Sequence, residues 1–563
     1  MPLKIPIGLS DFRKLRESGS WYVDKTSFVA GILEASTEIY LFPHPQRFGK
    51  TLNLSTFRCF VEKPVEPWDA TPLFEDLAVW RSQEARRHFQ RYPTLSFSFK
   101  GVKARSWEDT WVGIRGEIGR VVKEHRYLLS GALPEDDTRD LSRLLDPDLD
   151  PAPARNALSL LSRLLHAHHG ERVVILVDEY DVPMQAGWMG GFYEEVIDFF
   201  RTFLTEGLKD NPHLFKGVLT GVLRVAKESI LSGLNNPEIW SILNEPFSRD
   251  FGFTEDEVGA LCLALGRPET MEEVRRWYDG YSFAGTRIYN PWSVLNFALE
   301  PDPGGRPFWV HTSSNDLLRR LLLERGHTVA GDIETLMAGG TLTREVDDNI
   351  VFTDLDRSST AAMSLLVMSG YLTARVIRNE RGRMMCDLAV PNLEVHSLFE
   401  TIIRNWLEMS TPRADRPQVM LQAMLEGDDE TFADLLSEMV TRTFSYHDVG
   451  SDDPERVYHA FLLGLMMYLP PTHEVRSNRE SGYGRCDVMV IPKVPGGTGV
   501  VLELKRLRPA RETVESALAS ALAQVKDRKY ADEVRSRGAG IVREYGIVFD
   551  GKKVVVGVEV GVR

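Results

Sequence analysis

Cysteine is scarce in this sequence. Its 563 residues include only four cysteines, which stand singly, without the paired spacing of a zinc site or of a disulfide framework. No run of about 18 apolar residues could span a bilayer, and no N-terminal apolar stretch leads to a small-residue cleavage site. We therefore expect reduced, buried thiols in a cytoplasmic protein with no membrane contact.

The sequence also has fewer basic residues than acidic ones. The formal net charge is -14, so the surface as a whole does not attract nucleic acid, and contact with phosphates requires a locally basic groove or a metal ion. This balance argues against a DNA-coating protein and is compatible with an enzyme. A hydrophobic share of 43% provides for several packed cores, and the length predicts roughly three to four domains.

Short β-rich runs alternate with helical segments through the first 250 or so residues. Four runs are predicted as buried strands: 38–42, 94–99, 173–177 and 217–220. This alternation predicts an α/β fold in which helices cover both faces of a parallel sheet. Later patterns predict a mostly helical middle region and a compact C-terminal α/β unit. We therefore predict domains at 1–250, 251–445 and 446–563.

A phosphate-binding loop is predicted at Phe48, Gly49, Lys50 and Thr51, which follow a predicted strand and open a helix. Backbone N–H groups and the positive end of the helix dipole would face the phosphates. Lys50 would reach the β- and γ-phosphates, and Thr51 would ligate magnesium. The first glycine of the usual motif is missing, because His44 stands in its place. Alone, the motif is equally compatible with a plain helix start.

Two acids, Asp178 and Glu179, end the predicted strand at 173–177, where a parallel sheet presents functional groups at its carboxyl edge. Asp178 would hold magnesium through water, and Glu179 would polarise the attacking water. After the next strand, Thr220 could sense the γ-phosphate and Arg224 could stabilise its charge, although ordinary loop polarity explains these two equally well. Together the motifs predict a nucleoside triphosphatase.

A second charged cluster lies near the C-terminus. Glu503 and Lys505 interrupt the apolar run 500–505, and their two-residue spacing places both on one face of a strand. Buried charges are costly unless they are paired or metal-bound. Asp487, on the preceding strand, could join Glu503 in binding a divalent cation, while Lys505 activates water. Metal-assisted phosphodiester hydrolysis fits this set; a structural Glu503–Lys505 ion pair is the alternative.

The predicted C-terminal α/β unit contains a group of arginines, although the chain is acidic overall. They are Arg476, Arg479, Arg485, Arg506, Arg508 and Arg511. They are compatible with the local basic groove that a nucleic-acid substrate requires. A solvated surface explains them equally well.

Several segments resemble one bacterial family. They are 22–26, 46–55, 177–181, 220–229 and 277–281. They look like the AAA-ATPase-like family, whose members typically carry a C-terminal nuclease-like domain of the PD-(D/E)XK superfamily. The family's loop also lacks the first glycine, and the resemblance adds Arg47 to the nucleotide-binding residues. His44 and Gln46 depart from the family's pattern.

The resemblance also implies further residues in a restriction-endonuclease-like C-terminal domain. Glu455 would be an accessory acid and Gln524 the helix glutamine of exonuclease-like members, although a first-turn acid and a solvated helix residue are the plain alternatives. The prediction is an ATP-hydrolysing, magnesium-dependent nuclease, with manganese as an alternative metal. We predict DNA as the substrate in preference to RNA, and we predict that the ATP state controls cleavage. Defence against foreign DNA is a candidate role, and the sequence is compatible with a homo-oligomer.

Two other functions fit the same sequence. A nucleotide-gated switch or scaffold would bind nucleic acid without cleaving it, although a retired nuclease site commonly loses one of its residues, and Asp487, Glu503 and Lys505 are intact. An ATPase acting on a protein partner would turn over ATP regardless of added nucleic acid.

Overall fold

The computed structural model describes most of the chain. The described residues are 3–130, 133–224, 237–300, 305–309, 318, 320–321, 332–333, 335–337, 339–356, 358–380, 383–410, 416–443, 462, 465–466, 468–469, 472–481, 484–507, 512–527, 530–551 and 553–562. The chain divides into two compact units. The first comprises Met1–Ser313 and Thr343–Val395, and the second comprises Ser314–Leu342 and His396–Arg563.

A five-stranded parallel sheet forms the centre of the first unit. Its strands are β1 (Ile39–Pro43), β2 (Thr94–Ser98), β3 (Val173–Asp178), β4 (Leu214–Gly221) and β5 (Glu238–Ile239), in the order β2-β3-β4-β1-β5. Every residue of β1 and β3 is buried, so both faces of these strands are covered, as their continuous apolar runs predict. The strand order brings the carboxyl ends of β1, β3 and β4 together.

Helices and two smaller sheets complete the first unit. The helices are α1 (Phe12–Glu17), α2 (Ser27–Glu34), α3 (Lys50–Val61), α4 (Thr71–Phe74), α5 (Ala78–Arg81), α6 (Gln83–Arg86), α7 (Trp107–Glu124), α8 (Glu135–Arg143), α9 (Pro151–Ala154), α10 (Ala157–His169), α11 (Val182–Gly190), α12 (Tyr193–Leu208), α13 (Glu255–Ala264), α14 (Met271–Tyr278), α15 (Pro291–Leu299) and α16 (Ser359–Met368). Short 3₁₀ turns cover Arg126–Ser130, Pro268–Thr270 and Phe352–Asp356.

The middle of the chain is helical as predicted but also contains short strands. β6 (Phe253–Thr254), β7 (Tyr281–Phe283) and β8 (Thr286–Tyr289) form one antiparallel sheet. β9 (Leu342–Val346), β10 (Thr373–Glu380) and β11 (Arg383–Ala389) form another, in the order β10-β11-β9. Much of the middle region thus belongs to the first compact unit, and the division at 250 and 445 stays a prediction.

The second unit is built on a mixed five-stranded sheet. Its strands are β12 (His473–Ser481), β13 (Gly484–Pro492), β14 (Thr498–Arg506), β15 (Ile541–Asp550) and β16 (Lys553–Val562), ordered along the sheet as numbered. Only the β14–β15 pair is parallel. The helices are α17 (Leu393–Ser410), which begins in the first unit, α18 (Arg416–Glu426), α19 (Asp429–Thr443), α20 (Val514–Asp527) and α21 (Tyr530–Ser536). The predicted α/β fold class is confirmed.

Strand β14 separates two apolar cores. Val500, Leu502 and Leu504 pack into a core that includes residues of α18 and α19. Val501 packs on the opposite face with Val525 of α20 and with residues of α21. Because side chains alternate along a strand, Glu503 and Lys505 share the face of Val501.

The thiols of the described residues are free. Cys262 and Cys386 are buried and Cys59 is half-buried, while the side chain of Cys486 lies outside the described part. In that part of the chain, no helix combines the length and the apolar character needed to cross a membrane.

Candidate functional site

The phosphate loop folds around the ammonium group of Lys50. Gly49 precedes α3 with a φ of 92°, a left-handed conformation that glycine adopts without strain. Lys50 is 4% exposed, and its Nζ donates to the backbone oxygens of His44 at 2.7 Å and Pro45 at 2.8 Å. The loop therefore closes on the residue that the sequence predicts as its phosphate ligand.

Three predicted residues meet at one carboxylate. Thr51 Oγ1 donates to Asp178 Oδ2 at 2.8 Å, and Thr220 Oγ1 donates to Asp178 Oδ1 at 2.6 Å. Asp178 itself is 4% exposed. These bonds join the start of α3 to the ends of β3 and β4, so the three strand ends predicted to carry nucleotide chemistry form one cluster.

Two residues with a strained backbone lie at the same place. Six non-glycine residues in the described part of the chain have positive φ, and two of them, Arg47 at 70° and Glu179 at 50°, belong to the predicted site. Such conformations are costly for residues with a Cβ and cluster at functional sites. Burial raises the pKa of Glu179, and the positive charge of Lys50 opposes that rise.

Charge at this edge of the sheet is predominantly negative. Burial lowers the pKa of Lys50, while the carboxylates of Glu179, Asp181 and Asp178 act in the opposite direction. One ammonium group thus faces three acids, and a triphosphate requires further positive charge. The hydroxyl of Thr51 and the carboxylate of Asp178 are hard oxygen donors of the kind that magnesium prefers. The donor set fits a magnesium–nucleotide complex.

Phe48 and Arg224 have other partners. Phe48 is fully buried. Its ring centroid lies 4.9 Å from that of Tyr281 and 5.3 Å from that of Phe283, so this side chain packs the loop against the aromatic residues of β7. Arg224 Nη1 lies 3.9 Å from Asp348 Oδ1. Burial raises the pKa of Asp348 and Arg224 opposes that rise, so this acid competes with any phosphate for Arg224.

Sequence reasoning assigned no role to Asp181. It is 5% exposed, and its Oδ2 accepts hydrogen bonds from the backbone N–H groups of Val222 at 2.8 Å and Leu223 at 2.9 Å. The hydroxyl of Tyr180 donates to the carbonyl of Leu223. Asp181 therefore ties the turn after β3 to the turn after β4. The sequence feature that could have indicated a role for Asp181 is its position in segment 177–181, which resembles the family.

The C-terminal cluster is assembled around β14. Glu503 is 3% exposed and lies opposite Gly546 on β15. Lys505 Nζ donates to Ser520 Oγ on α20, a partner that sequence reasoning missed. Gln524 is half-buried and lies one helical turn beyond Ser520, on the same side of the helix. This turn of α20 faces the part of β14 that carries both charges.

The other two acids predicted for the nuclease site are Asp487 and Glu455. On β13, Val488 pairs with Leu502 and Met489 with Val501, so Asp487 and Glu503 each lie one residue beyond the last of these pairs. The side chain of Asp487 lies outside the described part, and Glu455 lies outside the described residues altogether. Within the residues that are described, no group of three or more histidines, cysteines or acids could hold a metal. A metal site here stays a prediction.

The basic groove is described only in part. Arg476 forms an ion pair with Glu474 at 2.7 Å and another with Glu533 at 4.0 Å, so its charge is offset locally. Arg506 is half-buried. The side chains of Arg479, Arg485, Arg508 and Arg511 lie outside the described part, and the groove stays a prediction.

The fold and the loop place the first unit in the P-loop class of nucleotide-binding α/β domains. Residues 6–231 match the AAA-ATPase-like family, described as a predicted AAA-ATPase, and residues 453–559 match the PD-(D/E)XK nuclease superfamily. The resemblance predicted from the sequence is confirmed: one segment of this chain matches the model of the predicted AAA-ATPase family, and a second segment matches the model of the PD-(D/E)XK nuclease superfamily. These families indicate ATPase and nuclease-type hydrolase activity, and they generally use nucleotides and divalent metal ions.

One relative is similar to this chain along nearly its whole length. A protein of Azotobacter chroococcum mcd 1, described as an uncharacterized protein in the vnfD 5' region, is 29% identical over 549 residues. The match covers 96% of this chain and 95% of the relative, so the similarity spans both matched domains and the region between them.

Proposed function

We propose that this chain is an ATP-hydrolysing, divalent-metal-dependent nuclease that acts on DNA and whose ATP state controls the nuclease domain. The observation that carries the ATPase half is the pair of hydrogen bonds from Thr51 and Thr220 to Asp178. They gather the phosphate loop, the acidic strand end and the next strand at one carboxyl edge, beside Lys50. This arrangement supports ATP as the ligand and magnesium as its metal.

Each residue of the nucleotide site then has a role in hydrolysis. A bound magnesium ion would offset phosphate charge, with Thr51 and Asp178 as the residues that hold it. Glu179 accepts the proton of the attacking water, a task favoured by a carboxyl whose pKa is raised by burial. Thr220 senses the γ-phosphate through its link to Asp178.

The nuclease half rests on Glu503 and Lys505. A carboxylate buried on the strand face that α20 covers, with a lysine two residues later held by Ser520, supports metal-assisted phosphodiester hydrolysis. Asp487 and Glu503 would hold magnesium or manganese, and Lys505 would orient the attacking water. Gln524 would position the substrate, and Glu455 would be the accessory acid.

The first experiment measures both activities of the purified full chain. ATP turnover and cleavage of single- and double-stranded DNA and RNA are followed with magnesium or manganese, and with ATP, a non-hydrolysable analogue or no nucleotide. Lys50→Ala should abolish ATP turnover and alter the nucleotide dependence of cleavage. Lys505→Ala should abolish cleavage and leave ATP turnover intact. Exposed lysines supply the matched controls, Lys63→Ala and Lys493→Ala, which should behave as the wild type.

The outcomes separate the candidate functions. Unchanged cleavage in Lys505→Ala would overturn the assignment of the cutting site. A wild-type chain that binds DNA without cutting it under any metal condition would instead be the nucleotide-gated scaffold. Cleavage that ignores nucleotide state would refute control by ATP. ATP turnover that ignores nucleic acid, without any cleavage, would point to an ATPase acting on a protein partner.

A further inference from the structure

An aromatic side chain from outside the phosphate loop contacts the arginine of that loop. The guanidinium carbon of Arg47 lies 4.3 Å from the ring centroid of Trp292, within the range of a cation–π contact. Trp292 is anchored in turn, because Asn290 Oδ1 caps α15 by accepting its backbone N–H at 3.0 Å, and its indole N–H donates to the carbonyl of Phe308 at 3.4 Å. The ring is a fixed platform.

Arg47 is held in a conformation that it would not choose locally. Its φ of 70° is left-handed, and such a residue persists only where its surroundings determine its position. Burial lowers the pKa of Arg47, and the carboxylate of Glu179 opposes that effect. The guanidinium therefore lies within electrostatic reach of the acid proposed to receive the proton of the attacking water.

The two arginines near this site differ in what binds them. Arg224 is paired with Asp348, so it must exchange a carboxylate for a phosphate before it can contribute. Within the described part of the chain, the guanidinium of Arg47 forms no hydrogen bond or ion pair; its neighbour is an aromatic face. A guanidinium stacked in this way keeps its N–H donors in the plane of the group, available to phosphate oxygens.

We infer that Arg47 is the arginine that stabilises the transferring γ-phosphoryl group, supplied from the phosphate loop itself, and that Trp292 is the residue that positions it. This inference rests on the proposed ATPase function. During hydrolysis the water oxygen bonds to the γ-phosphorus, its proton passes to Glu179, and the bond from phosphorus to the bridging oxygen breaks with its electron pair left on ADP. Arg47 forms no covalent bond and balances the charge on the phosphoryl oxygens.

The test is a set of variants of the full chain assayed for ATP turnover with magnesium, together with the Kd of a fluorescent non-hydrolysable ATP analogue. Arg47→Ala should lower kcat about 100-fold or more, because transition-state arginines have large effects. Trp292→Ala should lower kcat about 10-fold with KM and Kd within about twofold of wild type, as the loss of a cation–π platform predicts. Trp292→Phe keeps an aromatic face and should recover most of the rate.

A double variant separates positioning from general damage. If Trp292 acts through Arg47, Arg47→Ala with Trp292→Ala should be no slower than Arg47→Ala alone. The matched control is Trp68→Ala, because Arg13 stacks on Trp68 at 4.0 Å in the same kind of contact elsewhere in the first unit. This control should retain the wild-type kcat.

Several results would overturn the inference. They are a wild-type kcat in Trp292→Ala, a change in KM alone, no recovery in Trp292→Phe, or multiplicative losses in the double variant. A folding defect in Trp292→Ala leaves Trp292→Phe and Arg47→Ala to decide. If the wild type does not hydrolyse ATP, the proposed function fails. If it hydrolyses ATP and Lys50→Ala does not, while Arg47→Ala matches the wild type, only this inference fails.

Discussion

A buried carboxyl in the first unit predicts how stability changes with pH. Glu394 is fully buried, with Oε1 accepting from the backbone N–H of Trp309 at 2.7 Å and Oε2 from the hydroxyl of Ser293 at 2.7 Å. Burial nevertheless raises its pKa to about 7, because these hydrogen bonds only partly offset the cost of desolvating the charge. The perturbation that tests this is Glu394→Gln, which removes the titration and keeps the shape.

The expected magnitude follows from the pKa in the two states. A carboxyl with a higher pKa in the folded chain binds its proton more tightly there, so it favours folding at low pH. That contribution is lost as the pH rises from 4.5, its ordinary value, to about 7. At 1.36 kcal/mol per pKa unit, the charged form costs roughly 3 kcal/mol above pH 7. The uncharged amide of the Glu394→Gln variant carries no such cost.

Calorimetric unfolding between about pH 5 and pH 8 provides the assay. Glu394→Gln should resemble the wild type near pH 5 and exceed its Tm by several degrees near pH 8, because the variant lacks the pH-dependent loss. Its amide oxygen can still accept from Trp309, and the Ser293 hydroxyl can turn to accept from the amide. The exposed control Glu272→Gln should keep the wild-type pH dependence. An unchanged pH slope in Glu394→Gln would refute the reasoning.

Three further substitutions have defined expected outcomes. Asp181→Ala removes the acceptor of one buried and one partly buried backbone N–H group and should lower the free energy of unfolding by roughly 2–3 kcal/mol in urea titrations, with slower ATP turnover. Gly280→Ala should cost about 3 kcal/mol or more in the same measurement, because φ is 98° and an added Cβ would lie 1.8 Å from the carbonyl oxygen of Pro391. Ser520→Ala removes the partner of Lys505 and should slow DNA cleavage about 3- to 10-fold with unfolding unchanged.

Each of these substitutions has a matched control. Asp148 is exposed, and Asp148→Ala should change neither stability nor turnover. Gly285 has a φ of 87° with nothing near its missing Cβ, so Gly285→Ala should show the backbone strain without the collision. Ser536→Ala, on α21, should leave cleavage unchanged. A loss in Gly285→Ala as large as that in Gly280→Ala would show that φ, and not the collision, sets the cost.

Local sequence patterns were sufficient to predict the strands of the parallel sheet that carry the candidate nucleotide site. The run 173–177 is apolar throughout because a parallel strand is buried on both faces, and the structure places β3 at Val173–Asp178. The same logic predicted that strand ends would carry the functional side chains, and Thr51, Asp178 and Thr220 do meet. Adjacent strands of a parallel sheet bring such residues together whatever the loops between them contain.

Long-range partners could not be predicted in this way. Three of the predicted site residues have partners of this kind: Arg47 contacts Trp292, Arg224 contacts Asp348 and Lys505 contacts Ser520. Each partner is distant in the sequence or lies on another element, and no periodic pattern links it to its predicted residue. The strands of the β6-β8-β7 sheet have only two to four residues each, which is too short for an alternating pattern to stand out from the surrounding helices.

The packing around the phosphate loop extends beyond the segment that matches the AAA-ATPase-like family model. The family match ends at residue 231, but the phosphate loop is packed against later residues. His44 stacks on Phe251 at 4.0 Å, Phe48 lies against Tyr281, and Arg47 lies against Trp292. Since these contacts hold the loop's buried face and its arginine, the part of the middle region within the first unit supports the phosphate loop structurally. A movement of the loop would therefore alter its contacts with Tyr281 of β7 and with Trp292 of α15.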